Sequence, residues 1–162
     1  MTRAFYWLSA SSDNFDATGN PTGYGFRYGR KEFHEWSEFK DAESTQAIDL
    51  TNFGLALDNP GDGDRGVSRN LTLSFSVSSN NYETVEAYLF QNTGDFSQLV
   101  WKGNAWGNTT SIGPPKLDAA TTYNLYIWAL KRTFKSDGSD DTFFFSGQRD
   151  VFFATGSTIT EF

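Results

Sequence analysis

Alternation of apolar and polar side chains with a two-residue period is the feature that most constrains this chain. Between residues 71 and 77 the odd positions are apolar and the even positions are Thr or Ser, and apolar residues also occupy every second position at 85–89 and at 123–129. Runs of Gly, Asn, Asp and Pro separate these segments. Successive side chains of a strand point to opposite faces, so each segment predicts a strand with one buried face. About seven such strands at regular spacing predict an all-β fold, an antiparallel sandwich of two sheets.

The amino-acid composition limits the functions that this chain can have. The net charge of −7 argues against nucleic acid as a partner, because that binding depends on a basic surface. The chain has no cysteine, which excludes disulfides, thiolate metal sites and a cysteine nucleophile. No apolar run approaches the length of a membrane span, so we expect no membrane partner. Phe, Tyr and Trp are unusually frequent at 17% of residues, and aromatic side chains suit flat sheet faces and interfaces.

The first 45 residues differ from the rest of the chain. The polar stretch from Ser9 to Gly23 predicts a loop, and the glycines of residues 24–28 weaken that segment as a central strand. Phe33, Trp36 and Phe39 recur every three residues, as on a short amphipathic helix. We therefore predict an aromatic-rich N-terminal arm at residues 1–45 and a sandwich domain at residues 46–162.

One local motif carries a resemblance. Leu117 lies six residues before Tyr123, which opens a segment of alternating apolar residues through Ala129. This run resembles the tyrosine-corner segment of fibronectin type III domains, over a region that covers roughly residues 46–156. The resemblance implies that Tyr123 is buried and that its hydroxyl bonds to backbone between about Leu117 and Ala120. The usual proline of this motif and a clear tryptophan on the second strand are missing, so a related immunoglobulin-like sandwich stays open.

Residues that could carry chemistry are sparse. His34 is the only histidine, which excludes a three-histidine metal site, and no nucleophile motif accompanies it. Carboxylate pairs can hydrolyse glycosides, but these candidates have the spacing of a solvated face: Glu32, Glu35, Glu38, Glu43, Glu83 and Glu86. Asp58, Asp62 and Asp64 are candidate calcium ligands in a turn, where Asp also occurs for conformational reasons. We expect no catalytic residue and no cofactor, with calcium at that turn left open.

The aromatic side chains indicate function more clearly than the titratable residues do. If Val85, Val151 and Tyr123 face inward, a row of aromatics must face outward on three neighbouring strands: Tyr88, Phe90, Tyr126, Trp128 and Phe152. Patches of that size on a monomer usually mark an interface. Either the arm, with Phe5, Tyr6 and Trp7, folds back over this face, or the face and the arm bind a partner. Both alternatives hold if the arm of one subunit covers the aromatic face of another subunit.

The predicted function is a non-enzymatic structural protein that assembles with copies of itself or with a larger protein lattice. A sandwich with an aromatic arm, no cysteine and no recognisable signal peptide suggests a virion subunit, such as a phage capsid decoration or tail protein. We expect such a protein to be made in the host cytoplasm and exposed on the virion surface.

The alternative is a carbohydrate-binding or adhesion module, extracellular in that case. Trp101, Trp106 and Trp128 are then the candidates for stacking on sugar faces. The two functions differ in geometry. Sugar binding needs aromatic rings that line an open groove with polar neighbours, whereas assembly needs a dry contiguous patch or an extended arm.

Overall fold

Over the residues that the structure describes, the chain forms nine strands in two antiparallel sheets. The computed structural model describes residues 6–15, 21–33, 40, 48, 53–78, 82–106 and 109–157. The strands are β1 (Tyr6–Phe15), β2 (Pro21–Phe33), β3 (Leu55–Asn59), β4 (Leu73–Val77), β5 (Thr84–Asn92), β6 (Ser97–Ala105), β7 (Ser111–Ile112), β8 (Thr122–Phe134) and β9 (Asp140–Ala154). One sheet has the order β1-β2-β9-β8-β5-β6, and the other has the order β3-β4-β7. The prediction of an all-β fold with two antiparallel sheets is confirmed.

The hydrophobic core lies between the two sheets. The three-stranded sheet contributes Leu73 and Phe75, and the large sheet contributes the inward positions of its central strands: Val85, Ala87, Leu89, Tyr123, Leu125, Ile127, Ala129, Val151 and Phe153. These positions are the ones that the two-residue alternation assigned to the buried face. A backbone contact also joins the sheets, because the Leu55 amide donates a hydrogen bond to Ser146 Oγ across 3.1 Å.

Tyr123 occupies the corner that its sequence context predicted. The side chain is 2% exposed, and its hydroxyl accepts a hydrogen bond from the Asp118 amide at 3.0 Å. The ring stacks on Phe153 of β9, with ring centroids 5.5 Å apart. The predictions that Tyr123 is buried and tied to backbone upstream are both confirmed. Burial of this tyrosine raises its pKa, with the Asp118 amide acting in the opposite direction.

The N-terminal segment continues the large sheet. β1 pairs with β2, and β2 pairs with β9 from Gly25 opposite Gln148 to Lys31 opposite Thr142. The loop predicted from Ser9 to Gly23 is therefore wrong over residues 9–15 and 21–23. Main-chain hydrogen bonds can hold such polar segments as strands, since strand propensity depends strongly on context. The helical turn predicted around Trp36 lies outside the described residues, and the domain boundary at residue 45 stays a prediction.

Candidate interaction surface

The outer face of the large sheet carries a continuous line of aromatic side chains. We call it the aromatic row, and it crosses β5, β8, β9 and β2 through Tyr88, Trp128, Phe145, Phe143 and Tyr28. Alternation places Tyr88 and Trp128 outward, because Ala87 and Ile127 on the same strands point into the core. All five side chains are half-buried. The row therefore covers the middle of a face that lies opposite the core.

Neighbouring rings of the row pack against one another, and those of Tyr88 and Trp128 stack face to face. Tyr88 and Trp128 are stacked, with centroids 4.7 Å apart and ring planes 18° apart, and Phe145 lies 5.5 Å further along from Trp128. Strands in a sheet are about 4.8 Å apart, so rings stacked across strands turn their faces to each other and their edges to solvent. Gly147 permits this arrangement, because a Cβ there would lie 2.6 Å from Trp128 Cα.

Charged side chains lie at both ends of the aromatic row. At one end, Lys102 Nζ of β6 lies 4.9 Å from the Tyr88 ring centroid and 3.8 Å from Glu86 Oε2. The Tyr88 hydroxyl donates a hydrogen bond to the same Glu86 oxygen at 2.9 Å. Interaction with the Tyr88 side chain raises the pKa of Lys102, and attraction from Glu86 adds to this effect. At the other end, the Arg30 guanidinium lies 5.9 Å from the Phe143 ring centroid.

A second group on the same face combines aromatic and polar side chains. Phe90 meets Tyr126 edge to face at 5.5 Å, and the Tyr126 hydroxyl donates a hydrogen bond to Asp150 Oδ1 at 2.6 Å. This hydrogen bond to Asp150 raises the pKa of Tyr126, with burial adding to the effect. Asn124 Oδ1 is buried beside them without a hydrogen-bond partner among the described residues.

A β-bulge aims Asp150 at Tyr126. Leu125 faces Val151 and Ile127 faces Gln148, so both Arg149 and Asp150 oppose the single residue between them. Asp150 has a φ of 55° at this point, in the left-handed region that Asp tolerates better than most residues.

The predicted partner-binding residues divide into three sets on the sandwich and a fourth on the N-terminal arm. Tyr88 and Trp128 belong to the aromatic row, Phe90 and Tyr126 contact each other, and Phe152 is 39% exposed with no ring partner among the described side chains. Phe5 lies outside the described residues, and Tyr6 and Trp7 are described only as backbone of β1. β1 lies beside β2, so this strand continues the sheet in its plane.

Three members of the row were missed by sequence reasoning. The strand register brings Phe143, Phe145 and Tyr28 together. Phe145 of β9 pairs with Leu130 of β8 on one side and with Tyr28 of β2 on the other. The usable signal was the alternation in residues 143–145, because Phe144 packs against the core while its two neighbours point outward.

The candidate calcium ligands have other roles. Asp62 Oδ1 accepts a hydrogen bond from the Phe152 amide at 2.9 Å, and Asp64 Oδ2 accepts one from the Gly61 amide at 2.7 Å. Asp58 is exposed. Across the described residues, no three side chains of the His, Cys, Asp or Glu type come together as a possible metal site.

The candidate acid and base residues do not form a pair in the described part of the chain. Glu83 forms an ion pair with Arg132, while Glu86 contacts Tyr88 and Lys102. Glu32 faces Trp7 in the β1–β2 ladder. The others lie outside the described residues: His34, Glu35, Glu38 and Glu43.

The three tryptophans that were candidates for sugar stacking do not line one groove. Trp101 packs against the core from β6, whereas Trp128 is in the aromatic row on the opposite face of the sheet. Trp106 follows β6 and is 65% exposed.

Within the described ranges, no helix combines the length and the hydropathy needed to cross a membrane. Comparison of the chain with protein family models, with curated proteins and with solved structures gives no match.

Proposed function

We propose that this chain is a non-enzymatic structural protein that assembles through protein–protein contacts, with copies of itself or with a larger protein lattice. The observation that carries the proposal is the aromatic row. Five rings on four adjacent strands form one contiguous half-buried surface on the face opposite the core. Aromatic side chains are enriched at the centres of protein interfaces because they bury large areas with few rotatable bonds.

The orientation of the rings favours protein over carbohydrate as the partner. A sugar stacks on a free aromatic face, but the faces of Tyr88 and Trp128 cover each other at 4.7 Å. The edges of this stacked pair instead offer an apolar ridge, against which the side chains of another protein can pack. The mixed charges of Lys102, Glu86 and Arg30 at the ends of the row resemble the polar rim that surrounds an interface core.

The same proposal takes the sandwich to be immunoglobulin-like, in the manner of fibronectin type III domains. If β3 to β9 are labelled A, B, C, C′, E, F and G, the small sheet reads A-B-E and the large sheet reads C′-C-F-G, with β2 and β1 continuing beyond G. In immunoglobulin-like sandwiches strands A, B and E share one sheet, and strands C, F and G share the other. The hydrogen bond of Tyr123 near the start of β8, the F position, also supports this assignment.

The setting that we propose is a virion, with this chain as a capsid decoration or tail subunit on the particle surface. Such subunits act by occupying repeated positions in a lattice, for which a sandwich with one adhesive face is suited. The fold alone does not select this setting, because the same architecture serves many functions.

The mass of the purified protein in solution tests the proposal. Light scattering across a concentration series should give an oligomer, and Trp128→Ala should reduce its size because the ring that contacts both Tyr88 and Phe145 is lost. Phe134→Ala is the matched control, since Phe134 is 58% exposed at the end of β8 and belongs to no described part of the row. A protein that stays monomeric and binds a panel of immobilised glycans, with binding lost in Trp128→Ala, would contradict assembly and support carbohydrate recognition.

A further inference from the structure

Exposed apolar side chains concentrate around one edge of the large sheet. Among the described residues six large apolar side chains are exposed, and four of these lie on β6 or next to it: Phe96, Leu99, Val100 and Trp106. The first four residues of β6, Ser97 to Val100, are all exposed. This edge is distinct from the aromatic row, which ends at Tyr88 on the neighbouring strand.

The backbone of β6 is paired on one side. β6 is the last strand in the sheet order, and it pairs with β5 from Ala105 opposite Val85 to Ser97 opposite Asn92. Among the described residues no other strand pairs with it. An open edge presents alternate amide and carbonyl groups, and further strands pair with such edges readily when they also carry apolar side chains.

The features that usually protect an edge lie in the second half of β6. The register skips between Leu99 opposite Phe90 and Trp101 opposite Leu89, which makes Val100 a bulge. Lys102 follows it, and bulges and lysines both discourage pairing. The segment before the bulge, from Phe96 to Leu99, has neither device and includes two exposed apolar side chains, Phe96 at 76% and Leu99 at 48%.

We propose that this open edge is a self-association site, where the first half of β6 pairs antiparallel with the same segment of a second copy. This inference rests on the proposed function, because it adds a second assembly interface to the one at the aromatic row. The pairing extends the large sheet across a two-fold axis, so that each copy presents the same segment to the other.

Charge favours a second copy of this chain, in antiparallel orientation, as the occupant. The segment from Phe96 to Trp101 has no charged residue, and it is flanked by Asp95 on one side and Lys102 on the other. Antiparallel pairing brings the acidic end of one copy toward the basic end of its partner, at both ends of the interface. Parallel pairing would bring Asp95 toward Asp95, and like charges placed opposite each other destabilise a pair of strands.

Cysteine cross-linking tests the proposal directly, because the natural chain has no cysteine and one substitution gives a single thiol. Self-pairing of Ser97–Leu99 across the two-fold axis places Gln98 of one copy opposite Gln98 of the other, so under mild oxidation Gln98→Cys should yield a covalent dimer in high proportion. The control is Ser136→Cys, which places an equally accessible thiol in the exposed turn after β8. The proposal is overturned if the two variants cross-link to the same low extent.

A second pair of variants tests the edge without a covalent bond. Leu99→Lys places a charge in the open segment and should at least halve the number of subunits per oligomer, whereas Phe134→Lys should leave that number unchanged. An oligomer that persists in Leu99→Lys overturns the edge pairing and leaves the proposed function standing. Failure of the proposed function is a different result, namely glycan binding by a monomer, so the two failures are distinguishable. Dimers that form in Trp128→Ala and dissociate when Leu99→Lys is added would support both interfaces.

Discussion

The two faces of the large sheet are formed by the same central strands but are stabilised in different ways. The inner face has mostly aliphatic side chains, such as Val85, Leu125 and Ile127, and the opposite sheet buries them completely. The outer face has aromatic side chains that are half-buried mainly by one another, as in the stack of Tyr88 on Trp128. The inner face therefore depends on the packing of the two sheets, whereas the outer face can be altered with less effect on the fold.

Two tyrosines on β8 make this comparison quantitative. Tyr123 points inward and Tyr126 points outward, and each hydroxyl has a hydrogen-bond partner outside β8. The partner of Tyr123 is a backbone amide beside the core, while the partner of Tyr126 is the Asp150 carboxylate on the surface. A Tyr→Phe substitution at each position removes one hydroxyl oxygen, so the two variants compare the two faces through the same chemical change.

Tyr123→Phe should have the larger effect. The variant leaves the Asp118 amide without its 3.0 Å acceptor in a partly buried position, and such a loss costs about 1–3 kcal/mol of the free energy of unfolding. Urea denaturation of the two proteins at pH 7 measures the difference, provided that the slope of the transition is unchanged. A variant as stable as the natural chain would mean that the corner hydrogen bond contributes little.

Tyr126→Phe should have a smaller effect, about 0.5–1.5 kcal/mol, because water can replace the hydroxyl as a donor to Asp150.

The pH dependence of stability gives a second measurement on Tyr126. The pKa of Tyr126 is raised above 10.0 in the folded chain, so the unfolded chain loses this proton first as the pH rises. Its contribution is complete below pH 10.0 and is lost as the pH rises through the folded pKa.

The loss of stability at alkaline pH distinguishes titration of the two tyrosines from other causes of destabilisation. Tyr123 and Tyr126 both have raised pKa values, so each substitution should make the loss of stability above pH 10.0 less steep. Phe134→Ala is the control, since it removes no titrating group. If the slope above that pH is the same in all variants, neither tyrosine is linked to unfolding as described.

Sequence alone could predict the inner face, because a two-residue period fixes which side chains share a face. It placed Leu73, Leu89 and Ile127 in the core correctly. It could not place the bulge at Arg149 and Asp150, since alternation has no signal for an extra residue in one strand. The bulge decides which of the earlier β9 side chains, such as Phe143 and Phe145, point outward when Val151 points inward, and so the row beyond Trp128 was missed.

The N-terminal strands and the open edge were missed for related reasons. β1 and β2 are joined to the sheet by main-chain hydrogen bonds, which leave little trace in side-chain pattern. The exposure of Leu99 depends on which strand ends the sheet, and strand order is a property of the whole chain. The candidate interaction surface could thus be predicted at one end of the row, at Tyr88 and Trp128, and not where it continues on β9 and β2.

The smallest effect is expected from the outer-face ion pair of Glu83 and Arg132. Each side chain is about two-fifths exposed, at 39% and 41%, and exposed ion pairs contribute about 0–1 kcal/mol. The hydrogen bond from Arg132 lowers the pKa of Glu83, so this contribution is present above pH 4.5 and is lost as the pH falls through the folded pKa. Glu83→Gln should therefore lower the free energy of unfolding slightly at pH 7 and have no effect in acid. A loss at pH 7 as large as that of Tyr123→Phe would mean that the outer face contributes as much to stability as the inner face.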